Sequence, residues 1–329
     1  MRNWGDPGRT LSVTHLVASS GSHIMSRTIL CLGALTLDTI LRLDALPEQA
    51  GKYLPSEAVQ IAAGMASSAA AAIARLGGDV ALWASAGDDA TGERVIAELR
   101  AEGIDCSHIR RLAGARTAFS SILVDPSGER VIVPFYDPQL GSPASIVPPV
   151  EAGAFAAVMA DVRWAWAAET GLKAARRAGI PAILDADTAP VELLERLLPL
   201  ATHIVASEPA AISLTGTTDL SECVEILASR YDVFTAVTAG ANGCYWTERA
   251  GHAVQHVAGF SVKAVDTLAA GDVFHGAFAL GLVEGGSMHD IIRFANAAAA
   301  IKCARFGGRS GSPSRTEVLA FVESGLLPA

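Results

Sequence analysis

From residue 154 onward this chain alternates short apolar runs with helical segments. Ala157–Ala160, Ala182–Asp185, His203–Ala206 and Phe234–Thr238 each read as a strand followed by a helix. Parallel strands cannot be joined by tight hairpins; each needs a crossover, and a helix supplies it. The alternation therefore predicts a parallel sheet with helices on both faces. The N-terminal half begins the same way. Thr28-Ile-Leu-Cys-Leu-Gly33 is continuously apolar, as a strand buried on both faces must be. A helix from about Ser67 to Leu76, stopped by Gly77-Gly78, then leads to a strand at Val80–Ser85 and a helix at Gly92–Glu102.

Two stretches break this pattern. Residues 39–60 are short, alternating and interrupted by Pro47, Gly51 and Pro55. Residues 118–136 form a hairpin pattern, with Phe119–Val124 and Arg130–Phe135 flanking the turn Asp125-Pro-Ser-Gly128. The two stretches are expected to pair into a small sheet that covers the α/β domain as a lid. One domain then spans 26–329. Residues 1–25, ending in Gly21-Ser-His-Ile-Met25, read as a tag or a disordered extension outside it.

Composition narrows the function. Half the residues are apolar and 18% charged, which excludes a disordered chain. A net charge of −9 gives no basic groove for a nucleic acid partner. The most apolar stretch, Ala62–Ala74, is broken by Gly64, Ser67 and Ser68 and stops at Arg75, too short to cross a membrane. Five scattered cysteines without C-x-x-C spacing read as small buried hydrophobes, which suits a reducing, cytoplasmic setting and offers no zinc site.

The chemistry-bearing run is Val265-Asp-Thr-Leu-Ala-Ala-Gly-Asp-Val-Phe274, where small residues open an apolar helix. A helix N-terminus with small side chains lets an anion approach backbone N–H groups. Asp272 in that positive end suits a carboxylate base beside a developing phosphoryl charge. It suits a helix N-cap equally well. No G-x-x-x-x-G-K-[ST] sequence occurs, so a P-loop is not expected.

The run Asp266-Thr267-x-Ala269-Ala270-Gly271-Asp272-x-Phe274 resembles the C-terminal signature of the PfkB (ribokinase-like) carbohydrate kinases. Ala63-Gly64-Met65-Ala66-Ser67-Ser68, leading to Ala74-Arg75-Leu76-Gly77 and Gly87-Asp88-Asp89-x-x-Gly92, resembles the N-terminal signature. Thr238-x-Gly240-x-x-Gly243 resembles the nucleotide-phosphate turn. The resemblance covers residues 28–322. It implies a ribokinase-like three-layer α/β sandwich with a β lid, which transfers the γ-phosphoryl group of ATP, with Mg2+ and in some members K+, to a usually primary sugar hydroxyl. It further implies that Asp272 is the base and that the amides of Ala269, Ala270 and Gly271 form an anion hole. Asp38, placed just past the end of the first strand, and Gly64 would hold the sugar. Thr238, Gly240, Gly243, Asn296 and Gly308 would line the nucleotide, and pairing of lids would give a homodimer.

The chain departs from this pattern at three places. Ala269 replaces the usual glycine, Ser68 falls where an asparagine is common, and Ser207-Glu208-Pro209-Ala210 has lost the second acid of the N-x-x-E motif. Glu208 and Asp187 are left to order magnesium-bound water, although Asp185 and Asp187 equally suit a turn after a strand. Gly51-Lys52-Tyr53, Ala160-Asp-Val-Arg163-Trp164 and the stretch from Ile301 to Gly311 are similar to the sulfofructose kinases of this family. That similarity implies an anionic ketose such as 6-deoxy-6-sulfofructose, gripped by Lys52 and Arg163, although Ala113 stands where the third grip, an asparagine, would be. The alternatives are a neutral sugar, 2-keto-3-deoxygluconate, or a catalytically weak binding relative.

Overall fold

A computed structural model describes residues 26–328, so the expectation for residues 1–25 lies outside the described residues. In chain order the strands are β1 (Ile29–Gly33), β2 (Thr36–Arg42), β3 (Glu57–Ala63), β4 (Val80–Gly87), β5 (Arg110–Leu112), β6 (Phe119–Val124), β7 (Arg130–Phe135), β8 (Ala157–Ala160), β9 (Ala182–Ala186), β10 (His203–Ser207), β11 (Phe234–Thr238), β12 (Cys244–Thr247) and β13 (Gln255–Val257). The α-helices are α1 (Met65–Arg75), α2 (Ala90–Ala101), α3 (Ala165–Ala178), α4 (Val191–Leu197), α5 (Glu208–Thr215), α6 (Leu220–Tyr231), α7 (Ala270–Glu284), α8 (Met288–Cys303) and α9 (Arg315–Ser324).

Every residue of β1 is buried, so this strand has no solvent face and must lie inside a sheet covered on both sides. It pairs in parallel with β4 and β8 near the middle of a nine-stranded sheet of order β13-β12-β11-β10-β9-β8-β1-β4-β5. One apolar layer, with α1, α7 and α8, packs against one face; a second, with α3 to α6, packs against the other. This is the ribokinase-like α/β arrangement. The strands read from the alternating pattern lie within two residues of their expected limits. The antiparallel pair β12–β13 extends the sheet beyond them.

The two anomalous stretches do form a second sheet, of order β3-β2-β6-β7, in which β2 and β6 run parallel and the outer pairs antiparallel. It begins earlier than expected. Asp38 lies within β2, not in a loop after β1, because only Ala34-Leu35 separate the two strands. Ile40, Ile61, Ile122 and Val124 give this sheet its own small core, against which Leu268 and Phe306 pack.

The alanine-rich sequence of α1 has a packing purpose. A Cβ at Gly276 of α7 would fall 2.5 Å from the Ala69 carbonyl and 3.0 Å from the Ala72 methyl, so small residues on both helices permit a close crossing. That crossing fixes the N-terminus of α7 relative to that of α1.

Candidate active site

Both of these helix N-termini open on a cavity of about 500 Å³ between the carboxyl ends of the parallel strands and the small sheet. In an open α/β sheet this is where ligands bind. Asp185 and Asp187, Ser207 and Thr238 reach it from the ends of β9, β10 and β11; Asp38, Ser120 and Arg130 reach it from the small sheet.

The α1 end is built around a buried carboxylate. Asp161, fully buried just past β8, accepts the amides of Ala34 (2.8 Å), Ala66 (3.0 Å) and Arg163 (2.8 Å). Burial pushes its carboxyl upward, and the three amides pull it back. Asp161 thereby ties together the exit of β1, the first turn of α1 and the loop carrying Arg163. Gly64 caps α1 at φ +104°, and a Cβ there would meet the Ala34 carbonyl at 2.6 Å, so only glycine fits. Gly64, Met65 and Ser68 then form one wall. Opposite them Asp38 accepts the Thr36 hydroxyl at 2.8 Å. Burial raises its carboxyl, while Thr36, Ser120 and Arg309 oppose the rise.

The α7 end carries the acid. Ala269 adopts the left-handed conformation at φ +63°, which places the first-turn amides of α7 at the cavity wall. An alanine in this region costs about 1 kcal/mol relative to glycine. The Ala270 amide makes a long turn bond to the Thr267 carbonyl (3.3 Å). Asp272 lines the cavity with its carboxyl pushed well above the usual range by burial and then by the nearby Asp185 charge, with His275 opposing. His275 is buried, its Nδ1 2.7 Å from the Gly271 carbonyl and its Nε2 3.3 Å from Asp185 Oδ1. Burial lowers its pKa while the Gly271 and Val205 carbonyls oppose the fall, and its Nδ1 contact braces the first turn of α7.

The cations are disposed differently from expectation. Lys52 is exposed in the β2–β3 loop and does not line the cavity. Arg163 does line it, but its guanidinium pairs with Asp187 at 3.0 Å and donates to the Thr188 carbonyl at 3.0 Å. It also borders a second cavity of about 230 Å³, with Tyr136 and Trp164. Arg309 reaches the wall only to be consumed by Glu98, Glu102 and the Ala62 carbonyl. Arg130, which sequence reasoning passed over, donates to the Thr267 hydroxyl at 2.6 Å, and that hydroxyl donates to the Gly128 carbonyl at 3.0 Å. The small sheet is thus hydrogen-bonded to the turn preceding Asp272.

Of the residues expected to line the nucleotide, Thr238 and Gly308 line the cavity, whereas Gly240, Gly243 and Asn296 do not. Gly243 is needed where the chain passes the Val257 carbonyl, which a Cβ would meet at 2.1 Å. Asn296 Nδ2 donates to the Val257 and Ala258 carbonyls at 3.1 and 3.3 Å. Glu208, the first residue of α5, directly follows the cavity-lining Ser207 but does not itself line the cavity. Among the described residues no three His, Cys, Asp or Glu side chains converge as a metal cage.

One family model, pfkB family carbohydrate kinase, matches residues 26–315 of this chain. The chain belongs to the PfkB family. Its chemistry is therefore ATP-dependent phosphoryl transfer to a hydroxyl, as a sugar or nucleoside kinase. It is 30% identical to the ribokinase of Haemophilus influenzae, covering 91% of this chain and 99% of that protein. It is 29% identical to an ATP-dependent ribose-1-phosphate kinase of Halopiger xanaduensis, covering 89% and 97%. The structure of a candidate ribokinase from Agrobacterium tumefaciens superposes with a TM-score of 0.88 at 48% identity, covering 91% of this chain and 98% of that one. An Arabidopsis thaliana ribokinase complexed with ribose and ATP shares the fold at a TM-score of 0.77 and 22% identity, covering 91% and 99%. Among the described residues of this PfkB kinase no helix is long and apolar enough to cross a membrane.

Proposed function

We propose that this kinase phosphorylates a primary hydroxyl of a neutral sugar, with Asp38 holding the sugar's other hydroxyls and Asp272 receiving the proton. The observation that carries the reading is that Asp38 and Asp272 line one cavity together with the first turn of α7. The sugar oxygen bonds to the γ-phosphorus as the bond to the ADP oxygen breaks, and the hydroxyl proton passes to the Asp272 carboxylate. The Ala269, Ala270 and Gly271 amides take the charge that develops on the phosphoryl oxygens. Thr238 and Gly308 flank the phosphates, with Gly240, Gly243 and Asn296 outside them toward the base. Asp185 and Asp187 give two carboxylates in one wall, each raising the proton affinity of its neighbours, a donor set that suits magnesium arriving with its water shell and the ATP phosphates. Magnesium, when bound, would neutralise phosphate charge; Asp187 on the wall and Glu208, next to the lining Ser207, would hold its water.

A neutral sugar is favoured because the wall around Asp38 offers Thr36, Ser68 and Ser120, while Lys52 is exposed and does not line the cavity. The small sheet acts as the lid: Arg130 carries its movement to the Thr267 turn. Its exposed Val131 and Val133 on the outer strand β7 suit a second copy of the chain. A second reading rests on Arg163, which borders both cavities and would exchange Asp187 for an anionic substituent such as a sugar phosphate or sulfonate.

The test is ADP release with magnesium-ATP across ribose, fructose, ribose 1-phosphate, 6-deoxy-6-sulfofructose and 2-keto-3-deoxygluconate. Preference for a neutral sugar is expected. Turnover confined to the anionic sugars, abolished in Arg163→Ala, would establish the second reading. No turnover with any acceptor would leave a weak binding relative.

A further inference from the structure

Behind the anion turn lies a charge that the phosphoryl-transfer account does not use. Lys302, in the last turn of α8, is fully buried with an otherwise alanine-rich helix around it. Its ammonium donates to the Asp266 carbonyl (2.6 Å) and the Arg305 carbonyl (3.4 Å) and lies 3.2 Å from Asp266 Oδ2. Desolvating an ammonium is costly, and such a charge persists only where oxygens replace its water. The same Asp266 carboxylate accepts the amides of Leu268 (2.8 Å), Gly307 (3.0 Å) and Gly308 (2.8 Å). The Cys303 carbonyl accepts the Val265 and Asp266 amides at 2.8 and 3.1 Å. One ammonium and one carboxylate therefore knit the segment entering α7 to the segment leaving α8. The first ends in the anion turn, and the second ends at Gly308 on the cavity wall.

An ammonium ringed by carbonyl and carboxylate oxygens is chemically the counterpart of a dehydrated monovalent metal ion: one positive charge, compact, with oxygen partners only. We propose that Lys302 is a built-in monovalent cation, a positioning residue that holds the anion turn in register through Asp266 and frees the enzyme from any need for potassium. The charge arrives on a side chain and so cannot dissociate. The oxygens that would otherwise ligate a free ion are already occupied.

This inference rests on the kinase reading, and its test separates the two. Turnover of the wild-type protein is measured in choline, lithium, sodium, potassium and ammonium chloride at equal ionic strength, and is expected to be the same in all five. Lys302→Ala removes the charge and leaves room for an ion. It is expected to lose kcat on the order of a hundredfold in choline, as for a misplaced catalytic turn. Potassium and ammonium should recover much of that loss, whereas choline, which is too large, should not. The sugar KM should change little. The melting temperature of Lys302→Ala should rise in potassium or ammonium, while the wild type stays unmoved. Activation of the wild type by potassium would overturn the proposal. So would an undiminished Lys302→Ala, or a folded but impaired variant that no cation restores. If Lys302→Ala does not fold, the wild-type salt series decides alone. If neither protein turns over any sugar, the kinase reading fails, and the melting temperatures still judge Lys302.

Discussion

Replacing Asp161 with alanine removes the acceptor for three backbone amides at once. Ala34 and Ala66 would each be left with a buried N–H and no partner, and Arg163 with a part-buried one. An orphaned donor costs about 1–3 kcal/mol, so the three together cost roughly 6 kcal/mol at the middle of that range. Part of that sum is already offset, because burial raises the Asp161 carboxyl and the native state bears this cost. A net loss of about 4 kcal/mol remains. Asp161→Asn separates geometry from charge. Its amide oxygen, turned toward Ala34 and Ala66, keeps two bonds and sets one N–H against the Arg163 amide, for a loss of about 2 kcal/mol. Function should follow stability, because Ala66 lies in the first turn of α1 beside Gly64 and Ser68 on the cavity wall proposed to hold the sugar. The assay is urea denaturation together with steady-state kinetics. Both variants should raise the sugar KM more than the ATP KM, alanine more than asparagine. An alanine variant within about 0.5 kcal/mol of wild type, with an unchanged sugar KM, would refute the reasoning.

Three further outcomes follow from the same geometry. Ala269→Gly removes the left-handed strain and should stabilise the protein by about 1 kcal/mol, raising the melting temperature by roughly 2 °C; a lower melting temperature would contradict that account of the turn. Gly276→Ala forces a methyl against the Ala69 carbonyl and should destabilise by about 1–3 kcal/mol, read by denaturant titration, with slower turnover as α7 shifts. Asp272 must be ionised to accept a proton and its pKa is raised, so kcat should climb with pH through a limb lying above the ordinary carboxylate range. Asp185→Asn removes one cause of the rise and should move that limb to lower pH.

Much of this architecture was legible because period and burial speak directly. The unbroken apolar run of β1, the β6–β7 hairpin and the strand–helix alternation after residue 154 each translate into one arrangement. Asp38 was misplaced because two residues suffice to carry the chain from one sheet to another, and so short a hinge looks like a strand's frayed end. β12 and β13 were missed because three- and four-residue strands carry too little pattern to mark a period. Asp161 and Lys302 shared a signal that went unread: an ionisable residue directly after a wholly apolar strand, and a lone lysine in an alanine-rich helix. Both are buried where no solvated charge can persist, so each had to be holding something. Lys52 shows the reverse limit. A cation in a loop declares its charge but not its direction.

Asp272 is the proposed proton acceptor at the centre of the transfer step. The measurement is phosphoryl transfer by Asp272→Asn to the best sugar acceptor, with sugar and ADP affinity measured on the same protein by calorimetry. A loss of general-base catalysis of about 10²–10⁴-fold in kcat is expected, with both affinities retained. Turnover within a few-fold of wild type would contradict the assignment and reduce Asp272 to a cap on α7.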